Sequence, residues 1–201
     1  MQRASTTILV VIGDEAREAA EALGRGANVR ALLPDEEEPF AAAREVQRGA
    51  ATTRAPYVVT DVDPLAPVAA AWERYFDEQA PRGDLELAVA DATARWRAGT
   101  LELPDYYLLV DADDWTPTRR HWFLGFLHRH GPARVVPAEA SLESLQRAVS
   151  RLRAGRWWPR LPDLLADVEA AAPDDRRVAT DDDVEGPRLL TREDTTRVPT
   201  P

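Results

Sequence analysis

Two residue types are missing from this chain. Its 201 residues include no cysteine, and all 25 basic residues are arginine, so lysine is absent as well. Without cysteine there is no disulfide, no thiol nucleophile and no thiolate metal site, which fits a reducing compartment. Without lysine, a Walker-type phosphate loop, a Schiff-base enzyme and a protein kinase are each excluded, because each needs that amine as ligand or nucleophile. No Gly-x-Ser-x-Gly elbow is present, which removes the matching hydrolase chemistry. Apolar runs are short everywhere: none approaches the 18 residues of a membrane span. The run Ile8 to Ile12 meets Asp14 and Glu15 too soon to serve as a signal peptide, so a cytoplasmic protein is expected, with no membrane partner. Thirty-five acidic residues against 25 arginines leave a net charge of −10, which disfavours general nucleic-acid binding. The arginine-only, alanine-rich composition resembles that of proteins from high-GC bacterial genomes.

What is present alternates short apolar runs with longer helical stretches, the pattern of a parallel sheet covered by helices on both faces. The expected fold is α/β: a single doubly wound, mainly parallel five-stranded sheet, flavodoxin-like or Rossmann-like. Strands are expected at 7–12, 29–33, 57–60, 106–110 and 134–136. Helices are expected at 14–23, 40–51, 67–79, 84–98, 116–130, from 141 to a stop at Gly155, and 162–172. The pair 67–79 and 84–98 is an addition between strands three and four, split by the breaker Pro81-Arg82-Gly83. Thr116 and Ser141 are read as N-caps, and Leu142, Leu145, Val149 and Leu152 as the buried stripe of the helix after strand five. The domain is placed at 1–173. Residues 174–201, with 13 charged residues in 28 and no aromatics, are read as a disordered polar tail.

Acidic residues gather just after the strands: Asp14 and Glu15 after the first, Asp61 and Asp63 after the third, Asp111, Asp113 and Asp114 after the fourth, Glu139 after the fifth. Ligands of an open parallel sheet bind outside the carboxyl ends of its strands, so these groups form a candidate metal or phosphate-ligand site, with magnesium as the cofactor and a nucleotide or phosphorylated small molecule as the ligand. Repulsion among Asp61, Asp63, Asp111 and Asp113 would then raise at least one pKa. The alternative is that Asp14, Asp63 and Asp114 favour or cap the helices they precede.

Two family resemblances attach to these residues. The stretch Arg48 to Asp63, ending Tyr57-Val58-Val59-Thr60-Asp61-Val62-Asp63, resembles the segment of inverting GT-A glycosyltransferases that closes on a metal-binding Asp-x-Asp, and Tyr106 to Asp114 is similar to the same strand and acid pair. This implies a nucleotide-sugar ligand. Ile8 to Val11 with Asp14-Glu15, five β/α units, and Arg134 to Ser141 leading to Leu152-Arg153-Ala154-Gly155 resemble a response-regulator receiver domain. That resemblance implies an acceptor aspartate at Asp61, in a degenerate receiver whose lysine after strand five is absent.

The three histidines, His121, His128 and His130, sit on one helix without metal-ligand spacing, and His130 suits the last helical carbonyls. Trp115, Trp122, Trp157 and Trp158 are read as aromatic anchors against the sheet or as a partner surface. Taken together, these features lead to the expectation of a non-catalytic regulatory or protein-interaction module of a bacterial cytosolic system. The alternative is a magnesium-dependent enzyme acting on a nucleotide or nucleotide-sugar through Asp61, Asp63, Asp111 and Asp113.

Overall fold

In the computed structural model, which describes residues 6–173, the apolar runs become five parallel strands. In chain order these are β1 (Thr7–Ile12), β2 (Val29–Ala31), β3 (Tyr57–Thr60), β4 (Tyr106–Val110) and β5 (Val135–Ala138), and the sheet order is β2-β3-β1-β4-β5. Helices α1 (Ala16–Gly24), α2 (Pro39–Thr52), α3 (Ala66–Phe76), α4 (Arg82–Arg97), α5 (Pro117–Arg120), α6 (His128–His130), α7 (Leu142–Ser150) and α8 (Leu161–Leu165) cover it. A π-wound segment, His121–Leu127, joins α5 to α6. The layers are the expected flavodoxin- or Rossmann-like ones, entirely parallel, with α3 and α4 as the extra pair. Relative to the order 2-1-3-4-5, however, β1 and β3 have exchanged places.

Alternation along the central strands sorts the core. Val10, Ile12, Tyr107 and Leu109 face α3, α4, α8 and the π-wound segment, where Trp72, Leu85, Trp122, Phe126, Leu161 and Leu164 are buried. Leu9, Val11, Leu108 and Val110 face Ala19, Ala20 and Leu23 of α1 and Leu145 of α7. Both faces of β1 and β4 are thus covered, which is why these strands read as continuous apolar runs. Gly24 ends α1 where a Cβ would collide with Ala31 of β2, so the bare backbone sets how closely that helix approaches the sheet.

Several boundaries differ from expectation for local reasons. Strand β2 stops at Ala31, because it is an edge strand running toward Pro34, which has no N–H to donate. Helix α3 stops at Phe76, where Glu78 turns left-handed at φ 57° and the Gln79 N–H reaches back to the Arg74 carbonyl. Strand β5 runs on to Ala138. Helix α8 is short: the Val168 carbonyl accepts from the Trp72 indole N–H at 2.9 Å, and Val168 and Ala171 are buried outside any helix. Thr116 and Ser141 do cap their helices, accepting from the N–H of Arg119 and Ser144. On α7, which ends at Ser150 and not at Gly155, Leu145 is buried and Val149 partly so, but Leu142 is exposed and leaves the expected stripe; Leu152, partly buried, lies just beyond the helix. The tail at 174–201 lies outside the described residues. Among those described, no helix is long and apolar enough to cross a membrane.

The burial gradient along α7 and the residues just after it gives a direct check. By urea denaturation, Leu145→Ala is expected to cost about 2–5 kcal/mol, Leu152→Ala less, and Leu142→Ala close to nothing. Equal losses at all three would contradict the packing.

Candidate functional site

The connection leaving β1 heads toward β2 and the one leaving β4 heads toward β5, so the sheet divides between these adjacent strands. Ligand crevices form outside the carboxyl ends of the strands at such a point. Here Gly13 follows β1 at φ 154°, where a Cβ would lie 3.0 Å from both the Cβ and the carbonyl oxygen of Val110. Glycine is the residue that lets the two strand ends close up while the chain turns into α1. Beside it opens a cleft of about 310 Å³ between β1, the end of β3, α3 and the π-wound segment, lined by Gly13, Asp61, Asp63, Glu73, Arg119 and Phe123 among others.

Asp63 is 7% exposed. Its Oδ1 accepts from the Leu65 backbone N–H at 2.8 Å and from the Tyr107 hydroxyl at 2.9 Å, tying the entry of α3 to β4. Burial pushes this carboxyl up to about 6, and the two hydrogen bonds pull against that rise. The same burial, with the Asp63 carboxylate opposite, pushes the Tyr107 phenol well above its ordinary value. The rise at Asp63 therefore comes from desolvation, not from the expected repulsion among carboxylates. Glu73 is also raised by burial; Arg119 opposes the rise and Asp77 adds to it.

The other acids are held apart by partners. Arg17 of α1 pairs with Asp61 Oδ2 at 3.2 Å and Asp35 at 2.6 Å, and also donates to the carbonyls of Leu33 and Pro34. Asp61 Oδ1 is shielded from solvent without a hydrogen-bond partner among the described residues. Asp14 pairs with Arg119 at 3.3 Å, and Asp113 with Arg120 at 3.0 Å. Asp111, left-handed at φ 50°, accepts from the Ala140 N–H and so fixes the turn after β5. Glu15 precedes α1 without capping it through its side chain, and Glu139 is exposed. The expected crescent thus does not assemble: among the described residues, no three of His, Asp and Glu are grouped to hold a metal. Only Asp61 and Asp63 share the cleft. Of the expected caps, Asp63 bonds at the entry of α3, while Asp14 is engaged by Arg119.

The tryptophans also divide. Trp122 and Trp158 are buried in the core and cannot form a partner surface; the Trp158 indole N–H donates to the Pro104 carbonyl at 2.8 Å. Trp115 lies half-buried under the Arg119 guanidinium, 4.6 Å from its ring, and Trp157 half-buried under Arg134 at 4.5 Å. Trp157 and Trp96 line a second groove. His121 stacks on Trp72, and His130, lowered by burial, lies 3.9 Å from Asp167.

Arg17, Glu73, Tyr107 and Arg119 were not singled out from the sequence. Arg17 offered one signal, as the lone base in the run Asp14-Glu15-Ala16-Arg17-Glu18. Comparison with protein-family models, curated proteins and solved structures finds no match to this chain. The class that fold and site define is a Rossmann-like α/β protein with a carboxylate-bearing cleft at the carboxyl edge of its sheet.

The folded protein holds the Asp63 proton more tightly than the unfolded chain does. Stability therefore falls as pH rises from about 4 to about 6, and the penalty is fully present above that window. Asparagine keeps the acceptor oxygen without the charge. Asp63→Asn should gain on wild type by an amount that grows on the order of 3 kcal/mol between pH 4 and pH 8, read by urea denaturation. A difference independent of pH would contradict the buried ionisation.

Proposed function

We propose that the protein is a non-catalytic regulatory or protein-interaction module, in which the sheet edge holds a ligand or partner without converting it. The observation that carries this reading is the pairing of the edge carboxylates with arginines: Asp61 with Arg17, Asp14 with Arg119, Asp113 with Arg120. A magnesium–phosphate enzyme needs such carboxylates convergent on the ion, with room for waters and phosphate oxygens.

A second feature supports it. In a dinucleotide-binding sheet the pyrophosphate sits on the amino end of the helix after the first strand, over a glycine-rich turn. At that place this chain carries Asp14 and Glu15, with Glu18 in the first helical turn. Three carboxylates there oppose an anionic ligand, and Gly13 is the only glycine between β1 and α1.

The test is thermal unfolding with magnesium chloride and a panel of nucleoside triphosphates and nucleotide-sugars. A ligand at a hundred times its Kd stabilises the folded state by about 2.7 kcal/mol, a rise of several degrees. No rise is expected across the panel. A rise of that size with one magnesium nucleotide, lost in Asp61→Asn and Asp63→Asn, would overturn the proposal in favour of a magnesium-dependent enzyme.

A further inference from the structure

At the amino ends of β4 and β5, away from the cleft, the local charge changes sign. Between Glu143 and Asp163 the chain carries five arginines and no acid, in a protein whose net charge is −10. Arg147 pairs with Glu143. Arg151, Arg153, Arg156 and Arg160 are exposed and form no ion pair among the described residues. At the carboxyl edge, by contrast, Arg17, Arg119 and Arg120 each meet a carboxylate.

The segment that bears these arginines is braced from within. The Arg153 carbonyl accepts from the Tyr106 hydroxyl at 3.0 Å, and the carbonyls of Gly155 and Arg156 accept from Arg134 at 2.9 and 3.3 Å. Trp158 anchors the end of the loop in the core. A backbone held in this way has little ordering left to lose when a partner engages its side chains. Arg134 adds a buried positive charge beneath the loop, surrounded by carbonyls and rings.

Beside the loop runs a groove of about 320 Å³, at the small end of ligand sites, which run from about 300 to 1,000 Å³. Trp96, Leu103, Trp157 and Pro159 give it apolar walls, and Glu102 and Arg160 add one charge of each sign. Guanidinium groups already lie over both indoles, Arg160 over Trp96 at 5.3 Å and Arg134 over Trp157 at 4.5 Å, where a nucleobase would stack. Glu102 opposes a run of phosphates, whereas it can accept from the N–H groups that a peptide backbone presents. The fit is to a peptide, with carboxylates for the arginines and an apolar side chain for the groove.

We propose that this groove and the arginine loop beside it bind an acidic peptide segment of a partner protein, with Asp or Glu side chains on Arg153, Arg156 and Arg160 and one apolar side chain between Trp96 and Trp157. This deepens the protein-interaction reading and rests on it, giving the partner its chemistry.

The test is calorimetric titration of the full chain at about 0.15 M salt, where exposed charges are screened beyond about 8 Å. The probe is a short synthetic peptide of Asp and Glu around one central Leu. Beside it run an analogue with Ser for Leu, an analogue with Asn and Gln for the acids, and single-stranded oligothymidylate. Saturable one-to-one binding of the Leu peptide is expected, weaker by about tenfold with Ser, the scale of one buried Leu, and absent with the amides. The double variant Arg156→Glu, Arg160→Glu should lose binding, because like charges then face each other. Arg44→Glu with Arg48→Glu, exposed on α2, changes the net charge equally and should leave affinity in place. No saturable binding, equal binding of the Leu and Ser peptides, an equal loss in both double variants, or tighter binding of oligothymidylate would overturn the assignment. So would a gain of about tenfold or more on replacing Asp181, Asp182 and Asp183 by Asn, which would give the groove to this chain's own acidic run. Each of these leaves the non-catalytic reading of the cleft standing, because the magnesium–nucleotide series decides that separately.

Discussion

A hydrogen bond between two buried groups, the Tyr107 phenol and the Asp63 carboxylate, fixes the carboxyl edge of the sheet. Tyr107 is the second residue of β4, with its ring packed edge-on against Phe123 and Trp158, and its hydroxyl reaches past β1 to the segment after β3. The same Asp63 oxygen takes the Leu65 N–H, so one atom sets where β3 ends, where α3 begins and how both sit over β4. The floor of the cleft inherits its shape from that junction. Its energetic balance is two-sided: burial makes the charge costly, and losing the acceptor would leave a buried phenol and a backbone donor unmet.

Around this junction the charges are arranged by arginine alone. A planar guanidinium with five donors can join two carboxylates and two carbonyls at once, as Arg17 does between α1, the segment after β2 and the end of β3; an ammonium on a flexible stem is less suited to that bracing. Arg134 plays a comparable part at the opposite edge. It is 8% exposed, donates to the carbonyls of Asp105, Gly155 and Arg156, and lies between the rings of Tyr106 and Trp157. The absence of lysine, which excludes several chemistries, thus coincides with arginines acting as structural braces. Those braces also keep the edge acids apart.

How much of this was legible follows from the range of each interaction. Strands β1, β3 and β4 stand where their continuous β-branched and aromatic runs place them, because both faces are covered and every position but the terminal Thr7 and Thr60 is apolar. The caps Thr116 and Ser141 and the pair α3 and α4 were legible too, being local signals of side chain and breaker. Strand order was not, since a crossover past β3 or β1 leaves no mark in the connecting residues. Clustering of Asp61, Asp63, Asp111 and Asp113 was a fair inference from strand ends, yet it failed because the deciding partners are distant. Arg17 to Asp61 and Asp63 to Tyr107 each span 44 positions. Leu142 satisfied helical spacing but sits in the first turn of α7, beyond the cover of the sheet.

The central claim is that the cleft carboxylates are set by burial, a phenol and arginines, not by a metal. Carboxyl carbon-13 NMR, titrated with and without magnesium, measures this at Asp63 itself. Metal coordination favours the ionised carboxylate and drags its midpoint down, whereas burial alone keeps it high. The expected result is a single Asp63 transition near pH 6 that magnesium leaves in place. A midpoint in the ordinary aspartate range, or one lowered on adding magnesium, would contradict the account.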